Sequence, residues 1–375
     1  MRFTIKREEF LKGLNIAGRA VSGKSIMPIL ENLHIELTDR GLFITGSNLE
    51  LTIKSQVPYK LGDVDVIRNY KEGSVLIDAK RLIDIVREMD SEEVTFDVID
   101  TTNVTISGNN NRSNYRLNGI RADEYVELDL EATGTELTMS AADFNIMVAQ
   151  TAFAASTKEK KPLLTAINLV AKDGILSATA SDSARLAKKT LSIPNDVEFV
   201  ANVPARIMTE ISRLLEGRDS LEIAFSENKA LFTIGTTIVA TRLIAGEYYR
   251  TDNVVPKNTN CVLEVNANDF IKAIKRANIL SIERENAVDL SMSEESVKIS
   301  AKSSTVGSAT EEISDFRYIG RPLDISFNGE FVIAAIKSLG CDDVTLAFVE
   351  AMRAFIIKNA ADDSIIQIVT PMRSY

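Results

Sequence analysis

The sequence has few of the residues on which most enzyme active sites depend. It contains one histidine, His34, two cysteines, Cys261 and Cys341, and no tryptophan. Zinc sites are built mainly from Cys and His ligands, and Ser-His or Cys-His nucleophiles need a histidine beside the nucleophile. His34 alternates with apolar neighbours in the pattern of a strand, and no Cys or His ligand stands near it in the sequence. These counts argue against a zinc site and a His-dependent nucleophile, so an enzyme would have to use carboxylates, lysines or a phosphate loop. We expect no metal site, no required cofactor and no enzymatic activity.

Long apolar runs are also absent. No stretch approaches the roughly 18 apolar residues of a membrane-spanning helix, and the opening MRFTIKREEF does not have the apolar core of a signal peptide. Two cysteines cannot form a disulfide framework, and they suit a reducing compartment. We predict a cytoplasmic protein that does not contact a membrane.

One segment matches a phosphate-binding motif. Residues 18–25, GRAVSGKS, fit the pattern G-x-x-x-x-G-K-[ST]. Such a loop follows a strand and opens a helix, whose N-terminus then faces the phosphates. Here apolar residues recur at helical spacing from Phe10 to Ala17, before the loop, and Pro28 follows it. The order is inverted, so a P-loop enzyme is only an alternative interpretation.

Two helical patterns recur along the chain. The first is a polar turn followed by a phenylalanine and an amphipathic run, at Phe10, Phe144 and Phe270. The second starts with a residue that suits a helix cap or first turn, at Asp78, Pro204 and Asn328. Short alternating strands separate them. The repeats predict an α+β protein of three similar domains, each with two helices, over residues 1–127, 128–256 and 257–375.

Charge follows this repeat. The whole chain has a net charge of −10. The six helical windows, residues 7–24, 78–89, 142–161, 204–218, 268–284 and 329–338, contain 18 Lys and Arg against 12 Asp and Glu, and the remainder has a net charge of −16. Basic helices within an acidic protein indicate that the helices face a polyanion. The alternative is that Lys and Arg are common simply because they form helices well.

Several segments, in matching order, resemble one known family over the whole chain. They are residues 1–10, 27–33 (MPILENL), 44–50 (ITGSNLE), 161–167 (KPLLTAI), 181–187 (SDSARLA) and 370–375 (TPMRSY). The family is the bacterial DNA polymerase III β subunit, the replicative sliding clamp, and the chain ending is similar to clamps of Gram-positive type. The resemblance implies the DNA-clamp fold, with antiparallel sheets outside, two helices per domain inside, and a ring-forming head-to-tail homodimer.

The resemblance also implies a function and partners. Such a ring encircles duplex DNA without sequence specificity, slides along it and tethers the replicative polymerase. An ATP-driven clamp loader and repair proteins with a clamp-binding peptide motif are the other expected partners. A scaffold of repeats that binds proteins without encircling DNA is the alternative. From helix position and charge, and for the loop lysines from the resemblance, we expect ten residues to face DNA: Lys24, Lys80, Arg81, Lys158, Lys160, Lys161, Arg206, Lys272, Lys275 and Arg276.

The resemblance places a peptide-binding groove between the second and third domains. Its matching positions are Leu164, Ser181, Ser183, Arg185, Leu186, Tyr249, Val254, Asn328, Phe331, Met352, Ala354, Ile368, Val369, Pro371, Met372 and Arg373. Leu186, Ile368 and Val369 are equally readable as core strand residues. Residues 183–184, 248–250 and 370 depart from the usual family pattern, which affects motif preference. At the dimer contact the resemblance sets Tyr115 and Leu117 against Ile279 and Leu280.

Overall fold

The computed structural model describes residues 1–23, 27–100, 102–108, 113–158, 160–194, 196–251, 254–281 and 286–373. The chain divides into two units. Each unit consists of two separate stretches of sequence, and strands from both stretches share one large sheet. Unit 1 comprises residues 1–141 and 213–243, and unit 2 comprises residues 142–212 and 244–375.

Six α-helices occur in the described part of the chain, as the repeats predict. They are α1 (Arg7–Gly18), α2 (Ala79–Glu88), α3 (Ala141–Thr151), α4 (Ala205–Leu214), α5 (Ala267–Asn278) and α6 (Gly329–Leu339). The cap predictions at two of them are confirmed. The Asp78 carboxylate accepts a hydrogen bond from the backbone N–H of Arg81 at 2.8 Å, and the Asn328 side chain accepts one from that of Phe331 at 3.2 Å.

Four of the helical windows extend too far toward the C-terminus. Helices α1, α3, α4 and α5 end at Gly18, Thr151, Leu214 and Asn278. Turns and a short 3-10 segment, Ala152–Ala154, follow instead. The basic residues Lys158, Lys160 and Lys161 therefore lie in a loop and not on a helix. Lys24 lies outside the described residues.

Strands make up most of the remainder, and all their pairings are antiparallel. The first fourteen are β1 (Arg2–Lys6), β2 (Asn32–Thr38), β3 (Gly41–Ser47), β4 (Leu51–Val57), β5 (Lys60–Leu61), β6 (Val64–Asp65), β7 (Ile67–Lys71), β8 (Gly73–Asp78), β9 (Glu93–Ile99), β10 (Asn103–Gly108), β11 (Asn114–Asn118), β12 (Thr135–Ser140), β13 (Ala166–Lys172) and β14 (Ile175–Ser181). The other fourteen are β15 (Arg185–Ser192), β16 (Phe199–Pro204), β17 (Ser220–Phe225), β18 (Lys229–Ile234), β19 (Thr237–Arg242), β20 (Cys261–Asn266), β21 (Ala287–Met292), β22 (Val297–Ser303), β23 (Gly307–Ile313), β24 (Phe316–Ile319), β25 (Leu323–Asn328), β26 (Asp343–Phe348), β27 (Phe355–Lys358) and β28 (Ile365–Val369).

Unit 1 contains an eight-stranded sheet of order β12-β17-β18-β19-β4-β3-β2-β8 and a five-stranded sheet of order β11-β10-β9-β1-β7. Helices α1 and α2 pack against each other. The core includes the rings of Phe3, Phe10 and Phe96, whose centroids lie 5.1 to 6.1 Å apart. All three are fully buried, so sheet and helix share one apolar interior.

Unit 2 is built in the same way. A nine-stranded sheet of order β16-β13-β14-β15-β28-β27-β26-β20-β24 accompanies a four-stranded sheet of order β23-β22-β21-β25. Helices α5 and α6 pack together, and the Ser212 hydroxyl of α4 donates to the Asn145 side-chain oxygen of α3 at 2.7 Å. Phe327, Phe348 and Phe355 lie at the centre of the core. Strands of the predicted middle domain pair with strands outside it in both large sheets.

Candidate functional site

The turn between β14 and β15 in unit 2 is held by a set of side-chain hydrogen bonds. The Asp182 carboxylate accepts from the backbone N–H groups of Ala184 and Arg185 at 2.9 and 3.0 Å. The Ser181 hydroxyl accepts from the Ser183 N–H at 3.1 Å and donates to the Arg185 carbonyl at 2.7 Å. Ser183 has a φ of +78°, in the left-handed region that short polar side chains tolerate better than branched ones. The turn is therefore fixed before any partner arrives.

Arg185 is held on two sides by this turn and its surroundings. Its Nε donates to the Asp182 carboxylate at 3.0 Å, and only 17% of its side chain is exposed. The guanidinium carbon lies 4.4 Å from the Phe331 ring centroid and 5.5 Å from that of Phe153. Stacking on aromatic faces restricts the guanidinium to one orientation. The remaining N–H donors of Arg185 are thus pre-oriented for a polar or acidic group.

A second backbone segment runs beside the turn. Strand β28 pairs with β15, and after the strand the Thr370 N–H donates to the Ala184 carbonyl at 2.9 Å. Further along, the Met372 N–H donates to the Ser326 carbonyl at 2.7 Å. Pro371 and Met372 are half-buried, and Arg373 is exposed. The first bond holds Thr370 beside the turn that carries Arg185, and the second holds Met372 against β25.

Exposed apolar side chains also occur in unit 2. Met352 exposes 57%, Tyr249 51% and Val254 45% of its surface. Tyr248 packs edge-on against Tyr249 and is mostly buried, and this burial raises the pKa of the Tyr248 hydroxyl to about 12. Apolar side chains beside oriented Arg donors are the usual components of a peptide-recognition surface.

Four of the sixteen predicted peptide-binding residues belong to the core. Leu164, Leu186, Ile368 and Val369 expose between 0% and 6% of their surface, so their side chains offer almost no area to a partner. Leu186, Ile368 and Val369 are core residues of strands β15 and β28, as their alternative interpretation predicted. Asn328 is half-buried and caps α6. The other eleven are partly or well exposed: Ser181, Ser183, Arg185, Tyr249, Val254, Phe331, Met352, Ala354, Pro371, Met372 and Arg373.

Two residues that orient Arg185 were missed by the sequence reasoning. Asp182 supplies the turn cap and the ion pair, and Phe153 supplies one of the two rings. Asp182 had a readable signal, because a Ser-Asp pair between two alternating strands is typical of a side-chain-capped turn. Phe153 had none, since it is 32 positions from Arg185 and its packing depends on tertiary structure.

The described basic residues predicted to face DNA are all exposed, but they differ in their partners. Arg276 donates two hydrogen bonds to the Glu311 carboxylate, at 2.9 and 2.6 Å, which holds the pKa of Glu311 below its usual value. Lys272 lies 3.5 Å from Asp269 on the same helix. Lys80, Arg81 and Lys275 form no ion pair with the described residues. Arg206 lies in the first turn of α4.

The predicted dimer residues lie on open edges or exposed turns. Tyr115 and Leu117 belong to β11, a terminal strand of the five-stranded sheet, and Tyr115 is 36% exposed. Ile279 follows α5 directly and is 69% exposed, while Leu280 is half-buried. An open strand edge is an unpaired row of hydrogen-bonding groups and a natural contact for another chain.

The other candidate chemistry of the sequence has no support from geometry. Gly18 is the last residue of α1, so a helix and not a strand precedes the P-loop-like segment, of which residues 24–25 lie outside the described part. His34 lies in β2, its ring 5.6 Å from that of Tyr125, and burial lowers its pKa. The described residues contain no group of three His, Cys, Asp or Glu side chains placed to hold a metal ion. Nor does that part of the chain contain a helix long and apolar enough to cross a membrane.

Comparison with known proteins gives a consistent result along the chain. Residues 1–129, 138–249 and 252–373 match the family models of the N-terminal, central and C-terminal domains of the DNA polymerase III beta subunit. The chain is 31% identical to the beta sliding clamp of Staphylococcus epidermidis and 30% identical to that of Staphylococcus aureus, each over 100% of both chains. Among solved structures, it is similar to the DNA polymerase sliding clamp from Bacillus subtilis, at a TM-score of 0.95, 30% identity and full coverage of both chains.

Proposed function

Because the chain belongs to the DNA polymerase III beta subunit family, we propose that it acts as a sliding clamp, the processivity factor of a replicative DNA polymerase. The observation that carries this proposal is the match over the whole chain, in three successive clamp domains. Within their observed bounds the six helices contain 11 Lys and Arg against 8 Asp and Glu. This small surplus agrees with the proposal, because a polyanion is the natural partner of a basic surface. The domain bounds at 127/128 and 256/257, and a cytoplasmic location, are part of the proposal.

The proposed DNA contact is electrostatic and reads no sequence. Phosphate contacts position a protein on the duplex and carry no base information, so a ring that makes only such contacts is free to slide. Among the candidates, Lys80, Arg81 and Lys275 are the best placed, because they are exposed and form no ion pair with the described residues. Arg276 and Lys272 have a carboxylate that competes with phosphate. Arg206 and the loop residues Lys158, Lys160 and Lys161 complete the described set.

The proposed protein contact is the surface around Arg185 in unit 2. We infer that a short linear motif places apolar side chains against Met352, Tyr249 and Val254, and a polar or acidic group against Arg185 and Arg373. This surface is the proposed attachment point for the polymerase, for an ATP-driven clamp loader and for repair proteins. Because a helix and not a strand precedes the P-loop-like segment, ring opening is assigned to the loader.

The proposed ring is a head-to-tail homodimer. Tyr115 and Leu117 of one protomer would meet Ile279 and Leu280 of its partner, closing two identical contacts. Pairing the exposed edge of β11 would also remove an aggregation hazard.

Primer extension tests the function directly. The replicative polymerase and clamp loader of the same organism are given a primed single-stranded circle, with competitor DNA to trap polymerase that dissociates. We expect products of thousands of nucleotides only when this protein is present. Products of unchanged length would contradict the proposal and favour a scaffold that never encircles DNA.

A further inference from the structure

The turn between β3 and β4 in unit 1 repeats the hydrogen-bond pattern of the turn beside Arg185. The Asn48 side-chain oxygen accepts from the N–H groups of Glu50 and Leu51 at 3.1 and 2.8 Å, as Asp182 does for its two neighbours. The Ser47 hydroxyl accepts from the Leu49 N–H at 3.1 Å. Leu49 has a φ of +72°, close to the +78° of its counterpart. A leucine in this conformation is unusual, which indicates that the turn shape itself is retained in unit 1.

Two further elements of the unit 2 surface have counterparts here. The Arg242 N–H donates to the Glu50 carbonyl at 3.1 Å. This bond is the unit 1 equivalent of the bond from the Thr370 N–H to the Ala184 carbonyl in unit 2. Tyr125 occupies the place of Tyr248, and burial raises the pKa of its hydroxyl to about 12. The Tyr125 hydroxyl lies against the backbone of Ser47, as the Tyr248 hydroxyl lies against that of Ser181. The repetition therefore extends from the turn to the strand and the aromatic residue packed around it.

A cavity of about 550 Å³ lies beside the unit 1 turn. It is lined by Leu49, Thr52 and Leu243, with the methyl group of Ala240 in its wall. Its volume falls within the usual range of about 300 to 1,000 Å³ for ligand pockets. The cavity thus offers room for one or two side chains of an extended peptide.

The charge of this cavity differs from that of the unit 2 surface. Its lining includes the carboxylates of Glu50, Glu127 and Asp129 and the cations of Lys229 and Arg242. Lys229 and Asp129 neutralise each other, because the ammonium nitrogen lies 2.5 Å from the Asp129 carboxylate and holds its pKa below the usual value. The other charged residues of the lining are Glu50, Glu127 and Arg242. The adjoining stretch, residues 121–131, adds Glu124 and Glu131, while Asp123 is paired with Arg121. In unit 2, Arg185 and Arg373 stand at the corresponding surface.

We propose that unit 1 carries a second peptide-binding site, which takes an extended segment with arginine or lysine and aliphatic side chains. The inference rests on the proposed role of the unit 2 surface, whose construction it repeats. The two sites would select partners of opposite charge, so one protomer could hold two different proteins. Like charges at the rim disfavour the wrong partner at each site.

The probes are two fluorescein-labelled hexapeptides, Arg-Leu-Arg-Leu-Phe-Gly and its charge-reversed form Glu-Leu-Glu-Leu-Phe-Gly, followed by fluorescence anisotropy with the full chain. We expect the double variant Glu50→Lys with Glu127→Lys to bind the basic probe at least tenfold more weakly than the unsubstituted chain. Its affinity for the acidic probe should not fall. Asp63→Lys with Glu72→Lys is the control, since it changes the net charge equally at exposed unit 1 positions outside the cavity. Equal loss of the basic probe in the control would overturn the proposal, because attraction would then be non-specific.

Substitutions in unit 2 separate this inference from the proposed function. The double variant Met352→Ala with Arg373→Ala should have a lower affinity for the acidic probe and an unchanged affinity for the basic probe. The acidic probe could bind neither the unsubstituted chain nor this unit 2 variant, while the basic probe still binds unit 1. In that case the peptide-binding groove proposed in unit 2 fails and the second site stands. As a measurement that needs no substitution, the methyl NMR signals of Leu49 and Leu243 should shift when the basic probe is added. Unshifted methyl signals at saturating probe would overturn the second site.

Discussion

Replacing Ile279 should split the dimer, and the size of the effect follows from its exposure. Isoleucine exceeds alanine by three carbon groups, and burial of each stabilises an interface by about 0.8 kcal/mol. Because Ile279 exposes 69% of its surface in the single chain, its burial in a partner would account for about 1.5 kcal/mol at each contact. A head-to-tail dimer has two such contacts, so Ile279→Ala should cost about 3 kcal/mol, or a factor of roughly 100 to 300 in the dissociation constant.

Sedimentation velocity over a dilution series measures this shift. Ile279→Ala should move the dimer-to-monomer midpoint to higher concentration by about two orders of magnitude. Adding Leu280→Ala should leave monomer at micromolar concentration. Ile175→Ala is the matched control, because Ile175 is 51% exposed on β14 and has no proposed role. A double variant that stays dimeric at micromolar concentration, or a control that dissociates equally, would refute the contact assignment.

Three further predictions concern the turn, the DNA surface and the buried histidine. Asp182→Ala should lower the free energy of unfolding by about 1–3 kcal/mol, measured by denaturant titration, because two N–H groups and Arg185 lose their acceptor; an unchanged midpoint would contradict this. Lys80→Ala with Arg81→Ala should weaken duplex binding by the same factor on unrelated sequences and reduce its salt dependence; a sequence-dependent loss would argue against phosphate contacts. Burial lowers the pKa of His34 from 6.5, so the unfolded chain takes up its proton first and stability should fall as the pH drops below about 6.5. Thermal melting of His34→Gln should lack that component, and an identical pH profile would exclude this role.

Local sequence signals predicted the parts of the fold that depend on local bonds. Asp78 and Asn328 were identifiable as helix caps because a cap is formed within three residues of itself. Helix ends were harder, since Ile279 continues the apolar pattern of α5 but lies beyond its last helical residue. The exposure of such a residue depends on which other parts of the fold pack against it. The apolar periodicity of the sequence carries no information about those neighbours.

Long-range pairing could not be predicted from the sequence. Strand β4 pairs with β19 and β15 with β28, so each large sheet combines strands from two predicted domains. Repeat spacing gives the number of similar domains but not which edges join. The same limit applies to the sites, because the Arg276–Glu311 ion pair joins residues 35 positions apart and changes what Arg276 offers to DNA.

Burial separates two groups of predicted peptide-binding residues that the sequence treats alike. Ile368 and Met352 are both apolar and both match the groove positions, yet Ile368 exposes 1% and Met352 57% of its surface. Strand alternation suggested core positions for some residues, while the resemblance alone suggested contact. Only the structure shows that Met352 has surface to offer a partner and that Ile368 supports the strand from within.

The most direct test of the clamp function is release from DNA on linearisation. The protein is loaded by the clamp loader onto a nicked circular plasmid, separated from free protein by gel filtration, and the plasmid is then cut once with a restriction enzyme. Encirclement predicts that the protein stays with the circle, even at a salt concentration that abolishes phosphate contacts, and leaves within minutes of cutting. Protein that stays on the linear DNA, or leaves the intact circle equally fast, would contradict the account.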